Sequence, residues 1–424
     1  VEAAGILAGR CEGNLTSVTV QSEKTTGTKT QKAAANGTTV KVTLNNQNCS
    51  AIGGVVGLVA TKNNENNTYQ RVDKRKFTNV SFYGEVEAVL PGKNITAGMN
   101  MESDATYGIG GIVGVAKLKN NENTGMIHCE NYASVSGNYC TGGIVGKLDG
   151  EFTTTVTTGT DLSTISNIRK SSNEGLILCT SDASDTALTG KYFGGIVGYG
   201  GHTLIHESYS ASGRASNFTF DSSKKNLLKG KYIGGIIGYG QDSLINNCST
   251  QKNGYVLGSD QVGGIAGALS GNIADVIKAE GTIKVTTNAS YVIGKKYVGG
   301  IVGENSSGVT LENCVNNGVA AGYEKYVGGI VGYNANGATI KDCASYLSDY
   351  DNSVFKMITE TWDATADYAG GIAGYNNGSI EFSAASTAVT VKSVSSIVVG
   401  KNYVGGVAGF NDINGNLNVH YTLI

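Results

Sequence analysis

The stretch Tyr326-Val327-Gly328-Gly329-Ile330-Val331-Gly332-Tyr333-Asn334 recurs in varied form along the whole chain. Close copies begin at other tyrosines, namely Tyr192, Tyr232, Tyr297, Tyr368 and Tyr403. Looser copies share the double glycine, at Gly53-Gly54, Gly110-Gly111, Gly142-Gly143 and Gly263-Gly264. The shortest spacing between successive pairs is 29 residues, from Gly234 to Gly263 and from Gly299 to Gly328. A period in this range is typical of stacked repeats, in which each unit buries its apolar side against its neighbours.

The shortest unit, residues 298–326, predicts its own secondary structure. Turns at residues 305–308 and 316–318 separate the double-glycine segment from two short apolar runs, residues 309–315 and 319–321. Because no window has a sustained helical period, we read these runs as strands. Three short strands per unit predict an all-β fold, a right-handed parallel β-helix of about ten or eleven coils. At about 4.8 Å per coil the stack would be roughly 50 Å long.

The double glycine precedes a β-branched pair in nearly every copy, as in Ile301-Val302. Glycine inside a strand marks a bulge or a close backbone approach. We expect the pair to supply the dihedral angles of a corner, which other residues adopt less readily. Both faces of residues 326–331 carry apolar or small residues, so we also expect this strand to be covered on both sides or bulged.

The pattern Tyr-Val-Gly-Gly-Ile-Val-Gly-Tyr-Asn, followed by Ile-x-x-Cys and a Gly-x-Val-x-Gly step, resembles the GLUG repeat. The resemblance covers most of the chain. It implies a bacterial surface or secreted protein, because GLUG repeats occur in adhesin-like proteins and in the non-catalytic parts of IgA-cleaving metallopeptidases. The repeat is a scaffold, so the resemblance names no ligand.

We expect one β-helix domain over residues 1–424. Residues 1–52 would form an N-terminal coil and cap, with strands paired to each other between residues 10 and 50. Residues 53–424 would form GLUG-like coils with loop or hairpin insertions, listed here by position: 60–106, 147–172, 210–229 and 344–366. Residues 62–67 are predicted to be a polar loop and Lys74-Arg75-Lys76 a solvated basic segment. Since insertions of a repeat array tend to emerge on one side, that side is often the binding side.

Composition limits the function classes. The chain has 62 glycines among 424 residues, about twice the usual share of roughly 7 %. Charged residues make up 16 % and the net charge is −2, so nucleic acid is not an expected partner. No run of about 18 apolar residues predicts a membrane span, and no pattern predicts a cofactor. The chain opens on a repeat-like segment instead of a signal peptide, so we expect a mature or trimmed fragment.

Five of the eight cysteines share one position, three residues after an apolar one: Met126/Cys129, Leu176/Cys179, Ile245/Cys248, Leu311/Cys314 and Ile340/Cys343. Serine takes the same position after Ile205 and Ile380, which indicates a slot for a small inward side chain. We expect these thiols to be reduced and buried. Disulfides between adjacent coils are the alternative, although parallel side chains hold Cβ atoms further apart than a disulfide prefers. A metal site is disfavoured because no C-x-x-C pair occurs.

Catalytic patterns are weak. His202 and His206 lie four apart, but the metallopeptidase pattern H-E-x-x-H needs Glu after the first His, where Thr203 stands. Polysaccharide-cleaving β-helices need clustered carboxylates, which would recur at one repeat position in neighbouring coils. We find no such Asp or Glu position, and we expect a non-catalytic protein without a metal.

Two surfaces are candidates for ligand binding. Six tyrosines share one repeat position (Tyr192, Tyr232, Tyr297, Tyr326, Tyr368 and Tyr403), and a second aromatic series follows seven residues later. Stacking between coils would explain both series, and a glycan-binding strip is the alternative. The other candidate is the set of insertions, with the only tryptophan, Trp362, and the basic segment. We favour Trp362, because unique loops make one specific site and exposed tryptophan suits recognition.

We therefore predict a monomeric, adhesin-like protein, extracellular or at the cell surface, that binds glycans or host surface proteins. A polysaccharide-active enzyme on the same scaffold, or the non-catalytic repeat region of a larger secreted protease, stays open.

Overall fold

The computed structural model describes fourteen segments of the chain, residues 3–20, 41–44, 50–66, 68–88, 107–152, 161–181, 190–211, 228–252, 254–271, 286–346, 356, 358, 366–381 and 399–418. Nearly every element in them is a short strand, and neighbouring strands pair in parallel with the equivalent strand of the next repeat unit. The all-β prediction with parallel sheets is therefore confirmed.

The first sheet contains the strands that end on the first glycine of each pair. Eleven strands follow one another in the order Ala3–Ala4, Ala51–Gly53, Gly108–Gly110, Tyr139–Gly142, Lys191–Gly194, Lys231–Gly234, Asp260–Gly263, Tyr291–Gly299, Val319–Gly328, Ala366–Gly370 and Gly400–Gly405, and Tyr255–Leu257 pairs beside them. The order along the sheet is the order along the chain, so each repeat unit adds one strand.

The second sheet follows directly after the double glycine. Its eleven strands, again in chain order, are Ala8–Cys11, Val56–Val59, Val113–Lys117, Val145–Asp149, Val197–Gly201, Ile237–Gln241, Ala266–Ser270, Val302–Asn305, Val331–Asn334, Ala373–Asn376 and Ala408–Asn411. The two sheets thus count eleven units among the described residues, in agreement with the predicted ten or eleven.

The remaining strands complete each unit. A 13-stranded sheet holds Leu244–Asn246, Leu204–His206, Ile168–Arg169, Gly125–Ile127, Lys76–Phe82, Glu130–Asn131, Ser172–Asn173, Tyr209–Ser210, Ser249–Thr250, Thr287–Asn288, Val315–Asn316, Ala344–Ser345 and Leu15–Val20. Two four-stranded sheets hold Ile177–Cys179, Ser134–Gly137, Glu85–Ala88 and Lys41–Leu44, and Thr310–Glu312, Thr339–Lys341, Ser379–Glu381 and Asn416–Asn418. One antiparallel hairpin, Thr61–Asn63 with Thr68–Gln70, and one helical turn, Leu162–Ile165, lie outside this pattern.

The core is built from columns of equivalent side chains. The isoleucine after each double glycine is at most 2 % exposed in eight units, at Ile112, Ile144, Ile196, Ile236, Ile265, Ile301, Ile330 and Ile372. Backbone hydrogen bonds join the same positions from unit to unit, as in Ile301 N to Ile330 O at 2.9 Å. β-Branched side chains suit such a surface, because parallel sheets are covered on both faces.

Glycine is required at both positions of the pair because a side chain would clash with neighbouring atoms, and not because of the backbone dihedral angles. A Cβ on Gly328 would lie 2.0 Å from the carbonyl oxygen of Val331, and one on Gly329 would lie 2.1 Å from that of Gly371. The described glycines with positive φ lie outside the pairs, at Gly125, Gly190, Gly230, Gly271, Gly308 and Gly337. The expectation of a special corner conformation is therefore wrong, and the close backbone approach is what excludes side chains.

Polar side chains also form columns inside the fold, which the sequence analysis did not anticipate. One column runs through Asn131, Asn173, Ser210, Thr250, Asn288, Asn316 and Ser345, each at most 4 % exposed. A second runs through Asn305, Asn334, Asn376 and Asn411, with side-chain amide bonds of 3.0, 2.8 and 2.7 Å between successive members. The amides of Asn305, Asn334 and Asn376 each donate to the next unit, so most of these buried polar groups satisfy one another, and Asn305 Oδ1 at the start of the column has no hydrogen-bond partner among the described residues.

Several predicted boundaries need correction. Strands Leu15–Val20 and Lys41–Leu44 pair in parallel with Lys76–Phe82 and Glu85–Ala88 of the next unit, not with each other. They complete the first unit, because their alternating apolar residues match the same positions one period later. Within the predicted insertion 60–106, residues 62–66 of the predicted polar loop 62–67 belong to an antiparallel hairpin, in which Thr61–Asn63 pairs with Thr68–Gln70.

The second predicted insertion, 147–172, also contains regular repeat strands. Residues 145–149 and the strands Ile168–Arg169 and Ser172–Asn173 pair with their equivalents in neighbouring units. The Thr-rich run 153–158 lies outside the described residues. A single helical turn, Leu162–Ile165, begins where the Asp161 carboxylate accepts a hydrogen bond from the Ser163 backbone N–H at 2.9 Å.

Candidate functional site

Strand register brings the six predicted tyrosines into one column. Pairing of successive first-sheet strands places Tyr192 beside Tyr232, Tyr297 beside Tyr326, and Tyr368 beside Tyr403. The second sheet aligns Tyr199, Tyr239, Tyr333, Tyr375 and Phe410 in the same way. We call the two series the first and second aromatic columns, and together the tyrosine strip.

The rings within each column stack. In the first column, centroids lie 5.2 Å apart for Tyr192–Tyr232 and 4.8 Å apart for Tyr368–Tyr403, with nearly parallel planes. In the second column the Tyr199–Tyr239 rings lie 5.6 Å apart at 10°. The Tyr297–Tyr326 and Tyr326–Tyr368 pairs of the first column are tilted instead, at 47° and 38°. Both arrangements are favourable ring contacts that add to the burial of the rings.

The two columns also interlock. Tyr192 meets Tyr239 edge to face at 5.6 Å and 68°, and Tyr326 meets Tyr375 at 5.1 Å and 72°. Burial raises the pKa of Tyr192 well above its usual value, with Cys140 and the neighbouring tyrosines contributing less. The rings of neighbouring units and of the two columns thus pack against one another, which confirms ring packing between units as the structural explanation of the two series.

Four of the six first-column tyrosines have a left-handed backbone conformation that the sequence did not reveal. φ is 69° at Tyr192, 61° at Tyr232, 52° at Tyr297 and 58° at Tyr326. A bulky residue is uncommon in this region, which costs free energy unless the surroundings hold it there. Cys140 and Gln261 occupy the same register position and also have positive φ, 38° and 46°, so the conformation belongs to the position in the stacked strands and not to the rings. This conformation breaks the alternation of each strand, in agreement with the predicted bulge.

Three of the four hydroxyl groups of the second column are held by hydrogen bonds, and that of Tyr333 makes none to another described residue. Tyr199 donates to Gln241 Oε1 at 2.6 Å, the Tyr239 hydroxyl lies 2.8 Å from Ser270 Oγ, and Tyr375 donates to Asp412 Oδ2 at 2.6 Å. The bond to Asp412 raises the pKa of Tyr375, and the same bond lowers the pKa of Asp412. These bonds fix the orientation of the second column.

First-column hydroxyl groups are different. Those of Tyr297, Tyr326, Tyr368 and Tyr403 make no hydrogen bond to any other residue that the structure describes. The rings are half-buried as far as Tyr368, and Tyr403, in the last unit, is 48 % exposed. The first column therefore offers solvent a row of ring edges and hydroxyl groups, while neighbouring rings cover its faces.

The strip is interrupted in two units. Register places Gln261 between Tyr232 and Tyr297 in the first column. In the second column, Ala268 and Glu304 stand between Tyr239 and Tyr333. The sequence carried the signal, because the copy around Gly263-Gly264 begins Asp-Gln-Val instead of Lys-Tyr-Val. The sequence analysis did not use it.

The residue before each first-column tyrosine forms a charged border. Lys231 Nζ lies 5.1 Å from the Tyr232 ring centroid, and Lys296 Nζ lies 3.4 Å from Glu324 Oε2. At the last units, Asn402 donates to Asp367 Oδ1 at 2.8 Å. The border is mixed in sign, so the strip has no strongly cationic or anionic edge.

The predicted cysteine column is correct at four positions and wrong at one. Cys129, Cys248, Cys314 and Cys343 are free and at most 2 % exposed. Cys179 lies instead in the sheet beside Ser134–Gly137 and is only partly buried. Its unit contains a second apolar-x-x-small run, and Ser171 takes the column position because Ile168 pairs with Ile205. Ser383 lies outside the described residues.

We expect these four thiols to resist alkylation at pH 8 in the folded protein, whereas Cys179 reacts. Burial raises the pKa of Cys129 and of Cys248 to about 12, so almost no thiolate is present. Differential alkylation with mass spectrometry, before and after unfolding without reductant, measures each site. Native labelling of the four at the rate of Cys179, or no labelling after unfolding, would contradict the assignment.

The two histidines do not converge. His202 Nε2 lies 4.0 Å from Asp242 Oδ2, and His206 Nε2 lies 3.8 Å from Glu207 Oε1. In the described part of the chain, no group of three or more His, Cys, Asp or Glu side chains could hold a metal ion. In the same residues, no helix is long and apolar enough to cross a membrane.

The insertion residues are placed only in part. Trp362 lies outside the described residues, so its predicted role stays a prediction. Arg75 of the basic segment donates through Nε to the carbonyl oxygen of Glu12 at 2.6 Å. This contact ties the segment to the first unit.

Fold and strip together define a repeat protein of stacked parallel β-strands with an external aromatic strip. Residues 323–345, which span one double glycine, Tyr326, Tyr333 and Cys343, match the family model described as the GLUG motif. The resemblance to the GLUG repeat inferred from the sequence is thereby confirmed for residues 323–345. Comparison with curated proteins and with solved structures gave no match.

Proposed function

We propose that this chain is a right-handed parallel β-helix. It is a non-catalytic, adhesin-like binding protein that is secreted by a bacterium or lies on its surface. Its tyrosine strip binds an extended glycan. The stacking of eleven units in chain order supports the β-helix. Rigid repeat arrays present extended binding surfaces, and the strip runs along this one.

One observation carries the choice of a glycan. The first-column hydroxyl groups that make no bond to described residues belong to rings spaced 5.2, 5.1 and 4.8 Å apart, from Tyr297 to Tyr403. This spacing is comparable with the rise per sugar of an extended β-linked polysaccharide. One tyrosine hydroxyl would then meet one sugar, and affinity would grow with chain length because successive contacts are intramolecular.

We expect cello-oligosaccharides to bind with an affinity that increases with their length. Replacing Tyr326, Tyr368 and Tyr403 together by phenylalanine removes three hydroxyl groups and keeps the rings. Each lost hydrogen bond costs about 1 kcal/mol, so we expect a loss of about 100-fold with unchanged melting. Calorimetry measures the affinity. Tyr255→Phe, in a stacked pair with Tyr291 away from the strip, is the matched control.

Two results would redirect the proposal. If no oligosaccharide binds, or if the triple variant binds as well as the parent chain, the strip is not a glycan site. Release of new reducing ends from the oligosaccharides would favour the polysaccharide-active enzyme instead. Trp362→Ala tests the second surface: loss of partner binding with unchanged melting would assign recognition to that insertion.

A further inference from the structure

Two strands on either side of a groove each have a paired neighbour on one side only, among the residues that the structure describes. Ile177–Cys179 pairs with Ser134–Gly137, and Tyr255–Leu257 pairs with Tyr291–Gly299. Each of the two precedes a first-sheet strand, and Lys231–Gly234 lies between those two first-sheet strands. The two edges are therefore two strand rises apart, about 10 Å, which is the width that one added strand fills. We call this space the strand slot.

The strand slot is open. A cavity of about 690 Å³, a volume that includes the solvent at its mouth, is lined by apolar side chains, among them Ile177, Cys179, Phe193, Ile233, Val256 and Leu257. Ile177 packs against the buried cluster that contains Phe193 and Val256, yet it is partly exposed. Val86 and Val135, which precede it in the same register column, are fully buried. The slot thus uncovers a column that is closed in the units before it.

Backbone groups of both edges point into the slot. In a β-strand, successive residues direct their N–H and C=O to opposite neighbours. The Leu176 carbonyl accepts from the strand before it, so Ile177 directs its N–H and C=O toward the slot. The Gly258 N–H donates to the strand after it, so Leu257 directs its own groups toward the slot from the other side. Edges of this kind are templates for pairing with another strand.

The sequence that follows Ser210 does not supply the side chain that the slot suits. Asn173 and Ser210 stand in register, and Ile177 follows Asn173 by four residues. Arg214 follows Ser210 by the same step, and it lies outside the described residues. Burying an arginine without a partner between Ile177 and Val256 is costly. An apolar residue from another chain is therefore the better match.

We propose that the strand slot binds an extended segment of a partner protein, which adds one parallel strand to the sheet. Its central residue is apolar and completes the column between Ile177 and Val256. Its backbone pairs with Ile177 on one side and with Leu257 on the other, which is recognition by strand addition. The residue two positions later is small, because Gly137 and Cys179 hold that position in the units before. This site is separate from the tyrosine strip and goes beyond glycan binding.

A synthetic peptide, Ser-Tyr-Val-Ile-Gly-Lys-Lys, is the probe. It repeats residues 290–296, and residues 291–296 belong to the strand that pairs with Tyr255–Leu257. We expect fluorescence polarisation to detect its binding to the parent chain. The same peptide with arginine in place of valine should not bind. N-methylation of the isoleucine removes the donor to the Ile177 carbonyl and should weaken binding about tenfold.

Alkylation of Cys179 shows where the peptide binds. Saturating probe should slow the reaction of Cys179 by about tenfold or more. Cys11, a partly buried thiol of the first unit, should react as before. Ile177→Lys places a charge in the slot and should abolish both binding and protection. Ile127→Lys, at a partly buried isoleucine in another sheet, is the control, and melting of both variants is compared.

Four results would overturn the proposal. They are no binding of the probe, equal binding of the arginine peptide, binding without protection of Cys179, and binding that survives Ile177→Lys. Binding that appears only after Phe218 and Phe220 are both replaced by serine would also overturn it, because the slot would then belong to the chain's own segment. Cello-oligosaccharide binding is measured separately, so the glycan proposal stands or fails independently.

Discussion

Replacing Gly329 by valine is expected to lower the free energy of unfolding by about 4 kcal/mol, or to prevent folding. The new Cβ would lie 2.1 Å from the Gly371 carbonyl oxygen and 2.4 Å from Ser345 Oγ. Neither atom can yield alone, because one belongs to the backbone of the next unit and the other to the interior polar column. The structure must therefore separate two stacked strands. Chemical denaturation followed by circular dichroism measures the change.

Gly406→Val is the matched control for this effect. Gly406 is the second glycine of the last described pair, and a Cβ there meets no atom within 4 Å. We expect this variant to change stability by less than about 1 kcal/mol. Equal stability of the two variants would show that close approach between units is not what excludes side chains from the motif.

Replacing Asn334 by alanine is expected to destabilise the protein by about 3 kcal/mol. Asn334 is fully buried, accepts from Asn305 Nδ2 at 3.0 Å and donates to Asn376 Oδ1 at 2.8 Å. Its removal leaves a buried donor and a buried acceptor without partners, each at a cost of about 1–3 kcal/mol. Denaturant titration of the purified variant, compared with the parent chain, measures the loss.

Asn411→Ala gives the comparison at the exposed end of the same column. Asn411 accepts from Asn376 Nδ2 at 2.7 Å, but it is exposed, so water can replace it. We expect a loss of less than about 1 kcal/mol. If Asn334→Ala were no more harmful than Asn411→Ala, the buried amide column would not contribute to stability as argued here.

The fold could be predicted because every unit repeats the same residues at the same positions. Each copy predicts one strand, a bend and a second strand. The residues that predict them are the tyrosine, the double glycine and the β-branched pair after it, as in Tyr326, Gly328-Gly329 and Ile330-Val331. Unequal insertions obscured the rest. They hid the first unit, where residues 15–20 and 41–44 resembled a hairpin, and they gave Cys179 a false place in the cysteine column.

The sequence predicted which residues form the candidate site, but it did not predict their geometry. Aligned tyrosines predicted two aromatic columns, and register confirmed them. The left-handed backbone of Tyr192 and Tyr297 could not be read from residue type, because most residues of that size avoid this region and only the stacked surroundings hold it. Trp362 stays a sequence prediction.

The sequence by itself determined that the chain is a stack of β units, that glycine is indispensable beside Ile330, and that tyrosines align along one edge. Only the tertiary structure decided why glycine is needed, since the obstructing atoms belong to the next unit. It also decided which polar residues close into buried columns and where the strip is interrupted, because Gln261 and Glu304 lie 43 residues apart and meet only when two units stack. Local periodicity specifies each unit, whereas contacts between units depend on a register that insertions of unequal length conceal.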